Sequence, residues 1–466
     1  MGPGPPAAAL TTVALSPVAE TSHPPRVGVV VLNYGRGDLT LRCLRTVLSS
    51  DWPPESLEVV LVDNASDDGV AERARDELRR VRVVDAGTNL GFAGGCNLGI
   101  RVLGPVDHVA LLNNDATVEP GWLEPLVSAL EADPGIGAAC PKILFDDAFV
   151  DVALTSDATN RGVGDRRPLG VQISGARLDG RESLGRLQFV EGFWGVEHGP
   201  DGSPAQWTDG RSHLRVPARS DRSLPAVALR LAAGEPRTVS ITSGPQRVEH
   251  RVGPDPAWYE VSLGGDPFDV VNNVGSVLLD DGFGADRGFL ERDEGQYEQV
   301  EEVFAWCGAA VLLSRRYLNT VGVFDDRYFL YYEDFDVSWR GRAQGWRYLY
   351  VPGSPVRHVH SASTVAGSRL HQHYSERNRL LTLTRNAPAA LVVRAAVRHV
   401  LVTASYTRRD VFHPLAHGRP PSWETIRRRT RALASFAGQL APALVARRKL
   451  RRRQRVDDAD IMRWSV

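Results

Sequence analysis

The sequence predicts an open α/β sheet that is interrupted by an antiparallel β region and followed by basic helices. Three observations support this class. Apolar strand-like runs alternate with helical segments from Arg26 to about residue 145, the helical period disappears between about 150 and 268, and helical segments predominate beyond Asn386. At 466 residues the chain is too long for one small core, so two or three domains are expected.

The first half contains four continuous apolar runs, at residues 27–32, 57–62, 81–84 and 109–112. Such runs are typical of parallel strands that are covered on both faces. Between them, Asp38 is expected to cap one helix and Pro120 to open another. Ligands of such sheets bind at the carboxyl ends of the strands. The polar residues at or just beyond those ends are Asn33, Asp63, Asn89 and Asp115.

The region from about 150 to 268 consists of short alternating segments punctuated by Gly and Pro. This pattern predicts an antiparallel sheet or small β-sandwich inserted into the α/β domain. Its aromatic residues either stack on sugars or form the core of the insertion, which is the more usual role. They are Phe193, Trp194, Trp207, Trp258 and Tyr259.

Four widely spaced cysteines without a CxxC pair argue against a zinc site or a disulfide framework and indicate a reducing cytosol. Residues 1–25 are rich in Ala and Pro and are interpreted as a disordered tail, not a signal peptide. No uninterrupted apolar run of about 18 residues occurs, so no transmembrane helix is expected. Residues 389–406 are apolar but contain Arg394 and Arg398, and are interpreted as an amphipathic helix.

The C-terminal region is strongly basic, with eleven Lys or Arg and no acids between Arg427 and Arg455. Basic helices with interleaved apolar residues can lie on an anionic membrane surface. The alternatives are a nucleic-acid partner, which no recognised binding module accompanies, and a solvated helical face. Because the α/β pattern ends before residue 420, we expect the core to remain folded when the rest is removed.

The most informative stretch is residues 324–336, in which five aromatics in nine positions are followed by Glu333, Asp334 and Asp336. Carboxylates this dense repel one another and lose solvation among aromatics. A site with a general base or a metal explains them better than a purely structural role. The start of a helix is the alternative, but it accounts for one acid and not three.

Other segments favour a metal-bridged nucleotide diphosphate. Asp63 is placed to accept hydrogen bonds from a ribose or base, and residues 89–97 form a glycine-rich entry to a helix where backbone can approach a ligand. Asp115 ends a strand and could bind a hard divalent cation together with His358 or His360; either histidine could instead only donate hydrogen bonds. The rival dinucleotide-binding interpretation needs G-x-G-x-x-G, and Thr40 stands where its third glycine belongs.

These motifs together resemble the inverting family 2 glycosyltransferases of GT-A fold, notably the rhamnosyltransferase-like branch of bacterial surface-polysaccharide synthesis. The resemblance covers about 26–145 and 270–390. Its motifs follow one another in the family's order at residues 31–34, 62–66, 89–95, 112–115, 308–310 and 333–336 and at His358.

The resemblance implies a role for each motif. Asp63 contacts the nucleotide, Asp115 is the metal-binding end of a D-x-D-type motif, Asp334 is the general base, and His358 lies near the metal or the diphosphate. Asn113 stands where many relatives carry the first Asp, which leaves fewer charges on the metal. The full candidate set is Asp334, Glu333 and Asp336 as catalytic residues; Asn33, Asp63, Asn89, Gly91, Gly94 and Asn114 for the donor; Asp115 and His358 for Mg²⁺ or Mn²⁺; and Trp306, Tyr332 and Trp339 on the acceptor side. Arg377 and Asn378 are candidates for a phosphate contact, with a structural role as the alternative.

The expected organisation is a tail (1–25), a nucleotide-sugar-binding half (26–149), a β-sandwich-like insertion (150–268), an acceptor or catalytic half (269–388) and a basic helical region (389–466). The expected function is transfer of a sugar such as rhamnose from a nucleotide-diphosphate donor to a glycan or lipid-linked acceptor in bacterial cell-surface polysaccharide synthesis. This activity would be in the cytoplasm or peripheral to the inner membrane face. The alternative is a non-catalytic glycan-binding or scaffold protein on the same fold.

Overall fold

The computed structural model describes residues 23–160, 167–198, 204–359 and 368–466. His360 and residues 1–22 of the predicted tail lie outside the described residues. The chain divides into two compact units. The β unit comprises Asp147–Val270 and Leu290–Glu294. The α/β unit comprises the described part of Pro5–Asp146 together with Val271–Phe289 and Gly295–Val466.

The first elements of the α/β unit are β1 (Val27–Asn33), α1 (Gly37–Leu48), β2 (Leu57–Asp63), α2 (Val70–Glu77), β3 (Val81–Asp85), α3 (Gly91–Val102), β4 (His108–Asn113), β5 (Ala116–Val118), α4 (Leu123–Ala132) and β6 (Ile136–Phe145). The β unit contributes β7 (Phe149–Ser156), β8 (Thr159–Asn160), β9 (Pro168–Leu169), β10 (Val171–Leu178), β11 (Arg181–Glu182), β12 (Gln188–Phe193), β13 (Glu197–His198), β14 (Pro204–Pro217), β15 (Val227–Ala233), β16 (Arg237–Ser243), β17 (Gln246–Val252) and β18 (Ala257–Val261). The chain ends with β19 (Val271–Asn273), β20 (Ser276–Leu278), β21 (Gly284–Asp286), β22 (Glu301–Glu302), β23 (Ala310–Ser314), α5 (Arg315–Val321), α6 (Glu333–Ala343), β24 (Arg347–His358), α7 (Arg369–Asn386), α8 (Ala389–Thr407), α9 (His413–Ala416), α10 (Glu424–Gly438), α11 (Leu440–Arg453) and α12 (Asp458–Met462).

The α/β unit is built on a mixed ten-stranded sheet in the order β22-β24-β6-β23-β4-β1-β2-β3, with β19 added to β6 and β5 to β24. Strands β1 to β4 pair in parallel. The antiparallel β23 joins β4 to β6, and β6 pairs in parallel with β24. The α/β class predicted from the sequence is confirmed, as is the predominance of helices at the C-terminus.

Helices cover both faces of this sheet. Val29 and Val31 of β1 point into a layer shared with α1 and α4, while Val30 points into the opposite layer with α3 and α6. Helix α3 approaches β1 closely, because a Cβ at Gly95 would clash with Leu32 and one at Gly99 would clash with Val30. These two glycines, four residues apart on one helix face, therefore let the helix pack on the strand.

The main sheet of the β unit is antiparallel, in the order β17-β16-β7-β14-β10-β15-β18, with β11 added to β10 and β12 and β13 to β14; β8 and β9 form a separate pair. Its two edges meet, since the His250 ring on β17 contacts the Glu260 carbonyl oxygen on β18 at 2.8 Å. The main sheet therefore brings its two edge strands together and encloses one core. Trp207 is buried, and Arg177 lies 3.9 Å from the ring centre of Trp258, so neither ring is an open platform for a sugar.

The basic C-terminal helices are part of the α/β core, contrary to the expectation that the core is complete without them. Phe436, Ala443 and Ile461 are buried in the same cluster as α6 and α7. Arg447 and Arg451 donate to the carbonyl oxygen of Ala387 at 2.7 and 3.1 Å. The charge pattern suggested that the basic residues face outwards. Four of the eleven instead bind partners within the protein: Arg428, Arg429, Arg447 and Arg451.

Helix α8 continues through a π-helical turn (Arg408–Phe412) into α9, so that Ala389–Ala416 is one helical segment of 28 residues. By length and composition alone it could cross a membrane, which the sequence interpretation did not expect. The physical reason is that an 18-residue window of this helix contains at most two charged side chains, and the helix is longer than predicted. Length and composition do not distinguish a spanning helix from one that lies on a surface.

Candidate active site

The carboxyl ends of the parallel strands bring the predicted donor-site residues together. Asn33 ends β1 and Asp63 ends β2, and the two are register partners. The side-chain amide of Asn33 donates to Asp63 Oδ1 at 3.1 Å, and that of Asn114 donates to Asn33 Oδ1 at 3.2 Å. Asn33 is fully buried and Asn114 nearly so, so both brace the strand ends. Burial raises the pKa of Asp63, and the hydrogen bond from Asn33 partly opposes this.

The glycine-rich entry of α3 differs from the open anion site that the sequence suggested. Asn64 Oδ1 accepts the amide of Leu90 at 2.8 Å, and Asn89 Oδ1 accepts that of Gly91 at 2.8 Å. The carbonyl oxygen of Phe329 accepts the next two amides of the helix. The first N–H groups of α3 are thus already paired and do not face a diphosphate. A Cβ at Gly91, where φ is 69°, would clash with Phe329, and one at Gly94 would crowd Leu90, so protein packing explains both glycines.

Asp115 and His358 lie together at the same sheet edge. His358 ends β24. Its Nε2 is 3.0 Å from Asp115 Oδ1 and 3.2 Å from the side-chain amide nitrogen (Nδ2) of Asn113. Its Nδ1 is 3.1 Å from Asn272 Oδ1, which orients the ring. Within residues 23–160, 167–198, 204–359 and 368–466, no three His, Cys, Asp or Glu side chains form a ready metal cluster.

Asp334 occupies the second position of α6 and is only partly accessible. Its Oδ2 accepts the backbone amide of Gly308 at 2.8 Å, and its Oδ1 accepts that of Phe335 at 2.7 Å. Burial raises the pKa of Asp334 to about 6; the two backbone amides oppose the rise, and the nearby Asp286 adds to it. The next residue after Gly308, Ala309, accepts the amide of Asn113 at 2.9 Å, which ties Asp334 to the strand ends.

Glu333 precedes Asp334 and is buried. Its Oε2 has no hydrogen-bond partner among the described residues. Burial and the charge of Asp334 raise its pKa well above the ordinary value. Glu333 therefore favours its protonated form more strongly than an exposed glutamate does.

Asp336 does not belong to the site, contrary to its place among the catalytic candidates. It is fully buried, and its oxygens accept hydrogen bonds from Tyr328, Arg340, Arg385 and Asn386. Burial would raise the pKa of Asp336, but Arg385 and Arg340 outweigh it and hold the pKa below its ordinary value. With both oxygens engaged, Asp336 anchors α6 to α7.

Two of the three acceptor-side aromatics are also misassigned. Trp306 and Trp339 are each 1% exposed and pack in the core with other aromatic rings. Neither can contact an acceptor, because both side chains are buried. Their positions near the motif in the sequence do not determine the direction in which the side chains point. Tyr332 is partly accessible, and its hydroxyl lies 3.4 Å from the amide of Gly284.

The loop before α6 has an unusual backbone. Phe329, Tyr331 and Tyr332 all have φ between 63° and 69°, a region that side chains other than glycine rarely adopt. The Asn378 amide approaches the carbonyl oxygens of Tyr328, Leu330 and Tyr331 at 2.7–2.9 Å. Arg377 donates to the carbonyl oxygens of Arg327 and Tyr328. Both residues thus hold the strained loop that positions Asp334, and the structure gives them this structural role in place of a phosphate contact.

The sequence interpretation missed Asp286, Asn272 and Asn273. Partial burial raises the pKa of Asp286, and the hydrogen bond from Asn273 opposes the rise. The Asn273 amide donates to Asp286 Oδ1 at 2.6 Å. A pair of asparagines inside the apolar run 270–274 was the available signal.

The chain is similar in sequence to proteins of known families. A model of the family described as "Glycosyl transferase family 2" matches residues 28–173. The "N-acetylglucosaminyl-diphospho-decaprenol L-rhamnosyltransferase" of Mycobacterium tuberculosis (strain CDC 1551 / Oshkosh) is 39% identical over 80 residues, which are 16% of this chain and 26% of that protein. "Glycosyltransferase AglE" of Haloferax volcanii is 31% identical over 114 residues, 24% of this chain and 37% of that protein. The chain therefore spans about a quarter to a third of these curated relatives.

A solved structure is similar at low identity. The crystal structure of GalNAc-T7 with UDP, GalNAc and Mn²⁺ aligns with a TM-score of 0.43 and 14% identity, over 92% of this chain and 58% of that chain.

Proposed function

Because a model of glycosyltransferase family 2 matches residues 28–173, we propose that the chain is an inverting glycosyltransferase that uses a nucleotide-diphosphate sugar as donor. The observation that carries the proposal is Asp334. Its pKa of about 6 is close to that of an efficient general base near neutral pH, and two backbone amides hold its carboxylate in place. The other site residues would bind the donor and the metal ion.

In this reaction Asp334 accepts the proton of an acceptor hydroxyl. As that proton leaves, the hydroxyl oxygen forms its bond to the anomeric carbon, on the face opposite the nucleotide. The bond from the anomeric carbon to the diphosphate oxygen breaks in the same step, and the diphosphate departs with the electron pair. One displacement inverts the anomeric centre. Asp63 would accept hydrogen bonds from the nucleoside at the end of β2.

Asp115 and His358 are the residues that would hold a divalent cation. His358 Nε2 and Asp115 Oδ1 lie 3.0 Å apart, and imidazole nitrogens and carboxylate oxygens both bind such ions. The remaining ligands of Mg²⁺ or Mn²⁺ would be water and phosphate oxygens. When bound, such an ion would offset the charge that develops on the leaving diphosphate.

For the acceptor we propose a lipid-linked glycan, and for the sugar a rhamnose-like hexose, as in bacterial cell-surface polysaccharide or cell-wall synthesis. The support is the similarity to a protein named as a rhamnosyltransferase acting on N-acetylglucosaminyl-diphospho-decaprenol. A lipid-linked acceptor would place the protein in the cytoplasm at the inner membrane face. The second candidate, a non-catalytic glycan-binding protein, would require the β unit to bind sugars.

The test is a panel of nucleotide sugars with purified full-length protein, read as released nucleotide diphosphate in the presence of Mg²⁺ or Mn²⁺. One or a few donors should release diphosphate in wild type, and Asp334→Asn should not. If no donor is hydrolysed or transferred, while glycans bind the protein and the Asp334→Asn variant equally, the binding-protein alternative holds.

A further inference from the structure

The outer face of α8 and the turn that follows carries large apolar side chains that face solvent. The apolar stripe, as we name these side chains, comprises Val393, Val397, Val400, Leu401, Phe412 and Leu415, each between 51% and 64% exposed. The first four recur at the spacing of one helix face. Contiguous exposed apolar side chains of this kind mark an interaction surface.

The opposite face of α8 is fixed to the rest of the α/β unit. Leu391, Ala395 and His399 are buried there. Arg429 of α10 donates to the carbonyl oxygen of His399 at 3.1 Å and to the hydroxyl of Thr403 at 2.9 Å. A helix that crossed a bilayer would have to break these contacts and place a guanidinium partner in hydrocarbon. The helix therefore stays with the domain and presents only its outer face.

The charges that accompany the stripe are mainly positive. Between Ala389 and Leu415 the sequence has four arginines and one acid, Asp410, which pairs with Arg409. Arg394 and Arg398 border the stripe on α8, and both are exposed although they also reach the Asp280 carbonyl oxygen and the Asp281 carboxylate. Helices α10 and α11 and the turn after α11 add further exposed basic residues: Arg427, Arg431, Arg448, Lys449, Arg452, Arg453 and Arg455.

We propose that the apolar stripe docks in the plane of an anionic lipid bilayer. Its side chains would enter the boundary between headgroups and acyl chains, with the bordering arginines at the level of the lipid phosphates. A second copy of the chain is the less suitable occupant, because a symmetric contact would bring the arginines of both copies together. This proposal deepens the membrane-face location given under Proposed function, and it would bring the active site to a lipid-linked acceptor.

The test is flotation of the full-length protein with phosphatidylcholine vesicles, with and without phosphatidylglycerol, at low and high salt and without any donor sugar. Failure here is thus distinguishable from failure of the glycosyltransferase proposal. Wild type should float with anionic vesicles at low salt. The Val393→Ser/Val397→Ser/Leu401→Ser variant should lose at least about tenfold in partitioning, because each side chain gives up apolar contact with the bilayer.

Val196→Ser is the matched control, since Val196 of the β unit is 54% exposed and should leave partitioning unchanged. Val397→Ser alone should give a smaller loss with an unaltered circular dichroism spectrum, so a misfolded triple variant does not decide the matter. The proposal is overturned if wild type does not float at low salt or if the triple variant floats as well as wild type. It is equally overturned if the protein sediments as a dimer that the triple substitution makes monomeric, or if Arg452→Gln/Arg453→Gln abolishes flotation that the triple variant retains.

Discussion

Asp334 and Asp336 lie two positions apart at the start of α6 and have opposite surroundings. Asp334 is partly accessible and meets two backbone amides. Asp336 is fully buried between Arg340 and Arg385. Positions two apart on a helix differ by about 200° around its axis, so two residues of one motif can face solvent and the core respectively. The two carboxylates should therefore respond differently to the same substitution.

Asp334→Asn should keep the fold and donor binding but lower the rate of transfer by a factor on the order of 10² or more, the usual size of a lost general base. Calorimetric titration with the donor and a steady-state assay measure the two effects. Asp336→Asn is the control: it should fail by unfolding, with a loss on the order of 3–5 kcal/mol, because Arg340 and Arg385 lose their buried partner. Near-normal turnover of folded Asp334→Asn would move the base to Glu333.

The pH dependence of kcat/KM should show an acidic limb set by Asp334. Its pKa is raised to about 6, so below that pH the carboxyl is protonated and cannot accept a proton. Activity should rise with pH through about 6 and fall about tenfold per unit below it. The same shift means that the folded state binds this proton more tightly than the unfolded chain, so its contribution to stability declines as the pH rises from about 4 through about 6. A flat profile between pH 5 and 7, about one unit on either side, would contradict the assignment.

Asp115→Ala should remove divalent-ion dependence together with most donor binding, because Asp115 and His358 supply adjacent ligands at the sheet edge. Donor titrations with Mg²⁺, with Mn²⁺ and with a chelator measure this. Asp146→Ala, which removes a surface ion pair with Arg42, is a control that should change neither. Full activity of wild type in chelator would exclude a metal role for this pair.

Arg451→Gln should destabilise the α/β unit by about 1–3 kcal/mol, because the guanidinium donates to backbone carbonyls at the end of α7. Denaturant unfolding measures the loss. Arg452→Gln, one position further on and exposed, should stay within about 0.5 kcal/mol of wild type. Removal of all residues after Pro420 should yield unfolded or aggregated protein. A soluble, cooperatively melting truncation would show that the helices are dispensable after all.

The parts of the fold that could be predicted are those with a strong local signal. Four continuous apolar runs identified β1 to β4 within one residue at each end, because burial on both faces demands such runs. Helix starts were less predictable. Helix α1 begins at Gly37, and Asp38 pairs with Arg73 instead of capping it, while α4 begins at Leu123, three residues after Pro120.

The site could be predicted where its residues lie at strand ends. It could not be predicted where the role of a residue depends on the direction of its side chain. Asp63, Asp115 and His358 stand at the sheet edge because parallel strands end together. The burial of Trp306 depends on which side of the helix layer it faces, and the role of Asp336 depends on Arg385, 49 residues away. A glycine near a helix start allows the close approach of either a ligand or another part of the protein. Gly91 allows the close approach of Phe329. Such choices are made by tertiary contacts and not by local pattern.

The pairing at the borders of the β unit has a consequence for biosynthesis. Leu144 and Val271 are neighbours in the α/β sheet, and Phe149 and Phe268 are neighbours in the β unit. The chain therefore leaves the α/β sheet and returns to it at neighbouring positions. The loop-closure entropy of the inserted segment is small once the β unit has folded. Strand β6 nevertheless waits for β23 and β24, which the ribosome delivers much later. His358 and Asp334 can join Asp63 and Asp115 only after about three quarters of the chain has been synthesised, so the proposed active site would form late.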